Sequence, residues 1–170
     1  MLDFYARRPR LALAGLAILC FAAVGAAVTL GAIFNLEACA MCWFQRLSFL
    51  LAGAGFLLAA AWERGRIVIQ RMGELGLLLA LESAGRQTYL LSHLDAAQDN
   101  CSAGLFYYLQ IGNYNGFFRA GMFGGIDCAE NQPTILGLQL PEWSLVAVVC
   151  LIVLYGVWLA RKACATRAKA

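Results

Sequence analysis

Residues 11–34, LALAGLAILCFAAVGAAVTLGAIF, run for 24 residues without a charge. About 20 apolar residues are enough to cross a bilayer as a helix. The apolar stretch of a cleaved leader is shorter, roughly 7–15 residues. The run is therefore predicted to be a retained membrane span. Composition agrees: of 170 residues, 62% are hydrophobic and 14% charged, with a mean hydropathy of +0.69. A soluble domain is about half apolar and about a quarter charged. Three further spans are expected over about 43–62, 71–92 and 143–160, the third interrupted by Glu74, Glu82 and Arg86. Lipid offers no partners to backbone N–H and C=O groups, so each span must be helical. The expected fold is an all-α membrane protein, a bundle of four transmembrane helices. Residues 1–170 form one integral membrane domain with loops at about 35–42 and 93–142.

Orientation follows from the basic residues. Arg7, Arg8 and Arg10 precede the first span; Arg64, Arg66 and Arg71 lie between the second and third; Arg161, Lys162, Arg167 and Lys169 follow the fourth. These ten of the thirteen lysines and arginines fall on one side of a four-span chain, and the positive-inside rule makes that side cytoplasmic. The net charge of +3 thus reports topology and gives no argument for nucleic acid. The sequence shows no internal repeat, low-complexity tract or soluble domain. A loop as long as 93–142 is usually functional. Its stretch 105–123, LFYYLQIGNYNGFFRAGMF, has seven aromatics and one charge in 19 residues. It is expected to lie in the membrane interface, rings at headgroup level, tethering the neighbouring cysteines with slack for exchange. A packed loop is the plainer alternative.

The seven cysteines sort by side. Cys20 and Cys150 fall within spans, where a small polarizable residue serves packing. Cys164 lies in the basic tail, where thiols stay reduced. Cys39, Cys42, Cys101 and Cys128 all fall on the outer, oxidising side, two in each loop. Two structural disulfides are one reading. Zinc would need a second close-spaced cysteine pair, but Cys101 and Cys128 are 27 apart. A c-type haem would need histidine after Cys42, where Trp43 stands. Thiol–disulfide exchange is the third reading, and local physics favours it. Cys42 should sit in the first turn of the second span, where orphan N–H groups and the helix dipole favour an anion. Arg46, four residues on, shares its helix face and adds a permanent cation; on its own, an interfacial arginine could simply snorkel. A dithiol at the edge of lipid cannot release its electrons into water, and the nearby two-electron acceptor is a lipid-soluble quinone.

These residues resemble a known family, the DsbB (disulfide bond formation protein B) thiol:quinone oxidoreductases of bacterial inner membranes. The resemblance rests on CAMCWFQR at 39–46, GRQTYLL at 85–91, Cys101, and DCAENQPTILGLQLPEW at 127–143. It implies that Cys101 and Cys128 form a periplasmic loop disulfide that oxidises a soluble thioredoxin-like partner of the DsbA type. Cys101 would take the partner's attack and Cys128 would leave, then exchange with Cys39. Cys42 would then face quinone, ubiquinone or menaquinone, with Arg46 as the quinone-contacting cation; no metal is implied. Some members carry glutamate where Gln45 stands, so Gln45 is assigned no catalytic role. A histidine after the third span belongs to the quinone site in some relatives, and His93 is the only candidate here. Glu82 and Arg86, at i and i+4, share a helix face and can pair; a structural pair, a place near the outer surface and a quinone-site role are the readings open for them. A four-span scaffold with disulfide-stapled loops is the alternative function; a thiol-dependent transporter lacks the expected inverted repeat.

The topology has a direct test. A membrane-impermeant maleimide applied to intact cells is expected to leave Cys164 unlabelled until the membrane is permeabilised; labelling from outside would overturn the assigned orientation.

Overall fold

The computed structural model describes residues 8–35, 38–93, 105–124, 128, 134–135 and 137–167. Its main elements are long helices: α1 (Pro9–Ile33), α2 (Ala40–Ala61), α3 (Arg66–Ser92) and, closing the chain, α6 (Leu140–Arg167). Pro9 opens α1 at a position where its missing N–H costs nothing. Gly65 precedes α3 with φ 81°, in the left-handed region that glycine adopts freely. Helices Pro9–Ile33 and Ala40–Ala61, and the Leu140–Cys164 part of α6, are long and apolar enough to cross a membrane. The expected span 71–92 lies within α3, whose 27 residues suffice in length but whose Arg71, Glu74, Glu82 and Arg86 set it apart from the others. The remaining helices start within three residues of the expected bounds.

Between α3 and α6 lie α4 (Leu105–Gln110), α5 (Tyr114–Phe123) and a two-residue hairpin, β1 (Thr134–Ile135) with β2 (Leu138–Gln139). The hairpin turns through Gly137 at φ 84° and delivers the chain into α6 three residues earlier than the apolar pattern suggests. The Glu142 carboxylate accepts the Gln139 backbone N–H at 2.6 Å, one half of a capping box.

Lipid tails are as apolar as leucine, so helices in a membrane associate through close packing rather than water exclusion. The α2–α3 seam packs closely. A Cβ placed on Gly76 would lie 2.5 Å from the Ala52 backbone nitrogen, and one on Gly55 would lie 2.5 Å from that of Gly73. Gly73 itself receives the fully buried Phe56 ring. α1 adds Leu13, Leu16, Ala17 and Cys20, and α6 adds Val148, Leu151 and Tyr155, to one core. Near the end where α3 begins, Tyr155, Glu74 and Gln70 hydrogen-bond one another, and Arg71 pairs with Glu74 at 2.6 Å. The charges there are thereby satisfied within the protein. Further along α3 no Glu82–Arg86 ion pair closes within 4 Å. Arg86 instead lies over the Tyr89 ring, 5.4 Å from its centroid, so a cation–π contact replaces the ion pair.

α5 packs one face against the bundle. Gly121 touches the Phe44 ring, and its carbonyl accepts the Ser83 hydroxyl at 3.1 Å. Phe118, Phe123 and Tyr114 remain exposed.

The seam generates a paired prediction. Gly76→Val is expected to cost about 1–3 kcal/mol by overpacking and to lower the thermal transition in detergent. Gly85→Ala on the same helix meets nothing within 4 Å and should leave the transition unchanged or raise it slightly.

Candidate active site

Cys39 is the residue that starts α2. Its extended backbone (φ −63°, ψ 170°) turns the chain into the helix, and its sulfur accepts the Cys42 backbone N–H at 3.4 Å. One of the orphan N–H groups of the first turn is thus satisfied by Cys39. The three-residue spacing then brings the two sulfurs together on one side of the turn, with the Cys39 thiol donating to the Cys42 sulfur at 3.1 Å. The two thiols are close enough to join as a disulfide once an acceptor removes two electrons and two protons.

A third sulfur joins them. Cys128 is fully buried against Met41 and Leu90, and its thiol hydrogen-bonds with that of Cys39. This differs from the slack tether expected for the loop: Cys128 is seated at the pair. Cys101 lies outside the described residues. Hydrogen bonding with Cys128 and with Cys42, reinforced by burial, pushes the Cys39 thiol far above the ordinary thiol range. Cys39 therefore keeps its proton while Cys42 collects donors.

Those donors include a residue that sequence reasoning left unassigned. Gln87 of α3, fully buried, directs its side-chain Nε2 at the Cys42 sulfur (3.5 Å), the Cys39 sulfur (3.7 Å) and the Cys128 carbonyl (3.1 Å). Its Oε1 accepts from Gln45 Nε2 at 2.8 Å, and the Ser144 hydroxyl donates to Gln45 Oε1 at 2.9 Å. Gln45, expected to be idle, is part of the site. The signal was present in the sequence: a polar side chain in an expected span faces protein or water, and Gln87 sits in the GRQTYLL block of the expected span 71–92.

On the other side of Cys42 is a cavity of about 330 Å³ between α1, α2 and the start of α6, within the range of small-ligand sites. Ala23, Ala27 and Leu30 make its α1 wall, and Pro141 and Trp143 belong to its α6 wall. Cys42, Gln45, Arg46 and Ser144 supply polar groups to an otherwise apolar lining. The Arg46 guanidinium bonds the Ala27 carbonyl at 3.2 Å and lies 5.2 Å from the Trp43 ring centroid. These contacts bridge α1 and α2 and hold the cation at the cavity. His93 is elsewhere: it ends α3, exposed, stacked on Tyr89 at 4.5 Å with Ser92 on its Nδ1, and it is not among the lining residues. Cys20 is buried in the core, while Cys150 and Cys164 are exposed away from the cluster.

A profile of the family described as "Disulfide bond formation protein DsbB" matches residues 9–158. The chain belongs to the DsbB family. Among curated relatives, it is 36% identical over 138 residues to "Disulfide bond formation protein B" of Hahella chejuensis, covering 77% of this chain and 84% of that one. It is 35% identical over 137 residues to "Disulfide bond formation protein B 1" of Pseudomonas aeruginosa PAO1, covering 76% and 82%. The corresponding protein of Methylobacillus flagellatus is 32% identical over 132 residues, covering 76% and 80%. No solved structure matches the chain significantly. Membership in the DsbB family, with the apolar helices, makes this a multi-pass membrane oxidoreductase of disulfide bond formation.

The hydrogen bonding of Cys39 has a measurable consequence. At about pH 8.5 an ordinary thiol is half ionised. In the fully reduced protein in detergent, Cys39 is expected to be still protonated and alkylated at least tenfold more slowly than exposed Cys164. Equal rates would show that Cys39 does not retain its proton.

Proposed function

We propose that this chain reoxidises a periplasmic thioredoxin-like dithiol oxidase of the DsbA type and passes the electrons to ubiquinone or menaquinone in the inner membrane. In this reading α3 is a fourth span, both termini are cytoplasmic, and the cysteine-bearing segments face the periplasm. One observation carries the proposal: Cys42 and Arg46 line the same apolar cavity while Cys39 and Cys128 meet behind Cys42. A soluble partner can reach a loop, whereas a hydrophobic acceptor can reach a cavity walled by membrane helices.

The sulfur chemistry then balances as a relay of thiol–disulfide exchanges. A thiolate of the partner attacks Cys101 and forms a mixed disulfide with it, the Cys101–Cys128 bond breaks, and Cys128 leaves with the electron pair. Cys128 attacks Cys39, the Cys39–Cys128 bond forms, the Cys39–Cys42 bond breaks, and the pair moves to Cys42. The partner's second thiolate then takes its disulfide from Cys101. Cys101 attacks Cys128, which restores Cys101–Cys128 and leaves Cys39 and Cys42 as a dithiol. A bound quinone supplies the sink for two electrons and two protons. Arg46 would hold its polar head and stabilise charge beside Cys42, and Gln45 and Ser144 offer further polar contacts. The apolar wall would seat the ring and exclude water. The donor set fits such a ligand: one fixed cation and uncharged polar groups in an otherwise apolar lining.

Removing the Arg46 charge should weaken the quinone step alone. Donors aimed at developing charge in a dry site are worth about 10²–10³ in rate. At a partly hydrated bilayer edge, Arg46→Met is expected to lose about tenfold to a hundredfold in quinone reduction, with a raised quinone KM. Arg46→Lys should fall between, keeping charge without the planar fork. Unchanged quinone kinetics in Arg46→Met would reduce the arginine to a membrane anchor. Replacing Cys101 or Cys128 is expected to stop partner oxidation yet leave quinone reduction by a small dithiol largely intact, whereas replacing Cys39 or Cys42 abolishes both. If none of the four replacements affects either reaction, the cysteines are staples and the protein a scaffold.

A further inference from the structure

Two buried amides and a hydroxyl form a directed chain from the cavity wall to the sulfur cluster. Ser144 on α6 donates to Gln45 on α2, and Gln45 donates to Gln87 on α3. Each amide oxygen is thereby occupied, so the orientation of Gln87 is fixed: its NH₂ group must face the cysteines. That group has two N–H bonds and three acceptors before it, the Cys128 carbonyl and the sulfurs of Cys42 and Cys39. The carbonyl, nearest at 3.1 Å, takes one. The second N–H is left for whichever sulfur carries charge. Arg46 is the cation at the cavity, and the α1 wall presents only uncharged side chains.

We propose that Gln87 directs the internal disulfide exchange, holding the Cys128 backbone beside Cys39 and donating to Cys42 as it leaves, with Gln45 and Ser144 as positioning residues. The inference rests on the exchange order given above, in which Cys128 attacks Cys39. Thiolate attack on a disulfide can fall on either sulfur, and the outcome depends on access and on the leaving thiolate. Attack at Cys39 breaks the Cys39–Cys42 bond, forms Cys39–Cys128 and places the electron pair on Cys42 at the cavity. Attack at Cys42 would instead bury that sulfur in a disulfide and strand the electrons on Cys39, the helix-capping sulfur behind Cys42. Gln87 favours the first outcome twice: its bond to the Cys128 carbonyl sets the approach, and its second N–H stabilises the product thiolate.

The test uses the full chain carrying Cys101→Ser in detergent, depleted of quinone, so that Cys128 is free to exchange with Cys39–Cys42. Acid quenching, alkylation and non-reducing peptide mass mapping give the ratio of Cys39–Cys128 to Cys39–Cys42. Adding Gln87→Leu is expected to lower that ratio about tenfold, the size of one lost hydrogen bond to a charged group. Gln87→Glu keeps the shape but replaces the donors with a charge that repels thiolate, and should lower it at least as far. A packing role would instead leave the glutamate variant near the parent. Ser144→Ala, which touches no sulfur, should lower the ratio twofold to fourfold by freeing the Gln45 amide to turn. An unchanged ratio in Gln87→Leu with an unchanged melting transition overturns the role of Gln87. Should Gln87→Leu fail to fold, an unchanged ratio in Ser144→Ala overturns it instead. A Cys101→Ser parent that forms no Cys39–Cys128 bond rejects the exchange order itself, a failure distinct from that of Gln87.

Discussion

The amide-to-amide bond between Gln45 and Gln87 is the contact on which the site depends. A side-chain amide buried between packed helices pays for desolvation unless each of its polar atoms finds a partner. Two such amides facing one another across α2 and α3 solve the problem only if the helices come close and stay in register. The glycine seam supplies that closeness. With Gly76 against Ala52 and Gly55 against Gly73, the helices meet backbone to backbone, and the amide pair lies along the same interface at 2.8 Å. A bulkier seam would leave two unsatisfied amides and three cysteines without a common partner.

From that fixed point the electrostatics divides cleanly. On one side of Cys42, Cys39 retains its proton through hydrogen bonds to Cys128 and Cys42. On the other, Arg46 is pinned to the Ala27 carbonyl at a cavity whose remaining walls are mostly apolar. Helix α2 contributes to both sides: its first turn holds the cysteine pair, and its next turn presents Gln45 and Arg46 to the cavity. The thiol pair and a largely apolar cavity thereby meet at the Cys42 side chain.

The segment between α3 and α6 complements the bundle. α5 docks through Gly121 on Phe44 and through the Ser83 bond to its carbonyl, and Gly124 follows with φ 62°, close to Met41 and Cys128. The hairpin and the Glu142 cap then set where α6 starts, and hence where Ser144 stands relative to Gln45. Aromatic rings on α4 and α5, among them Phe106, Tyr107 and Phe118, remain exposed.

Three membrane-length apolar helices and the meeting of Cys39 with Cys42 were legible in the sequence, because both follow from local costs. A charge-free run of 24 residues has few alternatives to a membrane helix. A cysteine three residues from another at a helix start must meet it within one turn. Arg46 was legible for the same reason, as a cation one turn from Cys42. The roles of Gln45, Gln87 and Ser144 were not. Their contacts join residues 42 and 99 apart in sequence, and which face of α3 turns toward α2 is decided by where the glycines allow close approach. The seating of Cys128 against Cys39, and the separation of His93 from the cavity, are tertiary in the same sense. Periodicity places a side chain on a helix face; only the rotation of one packed helix against another decides what that face meets.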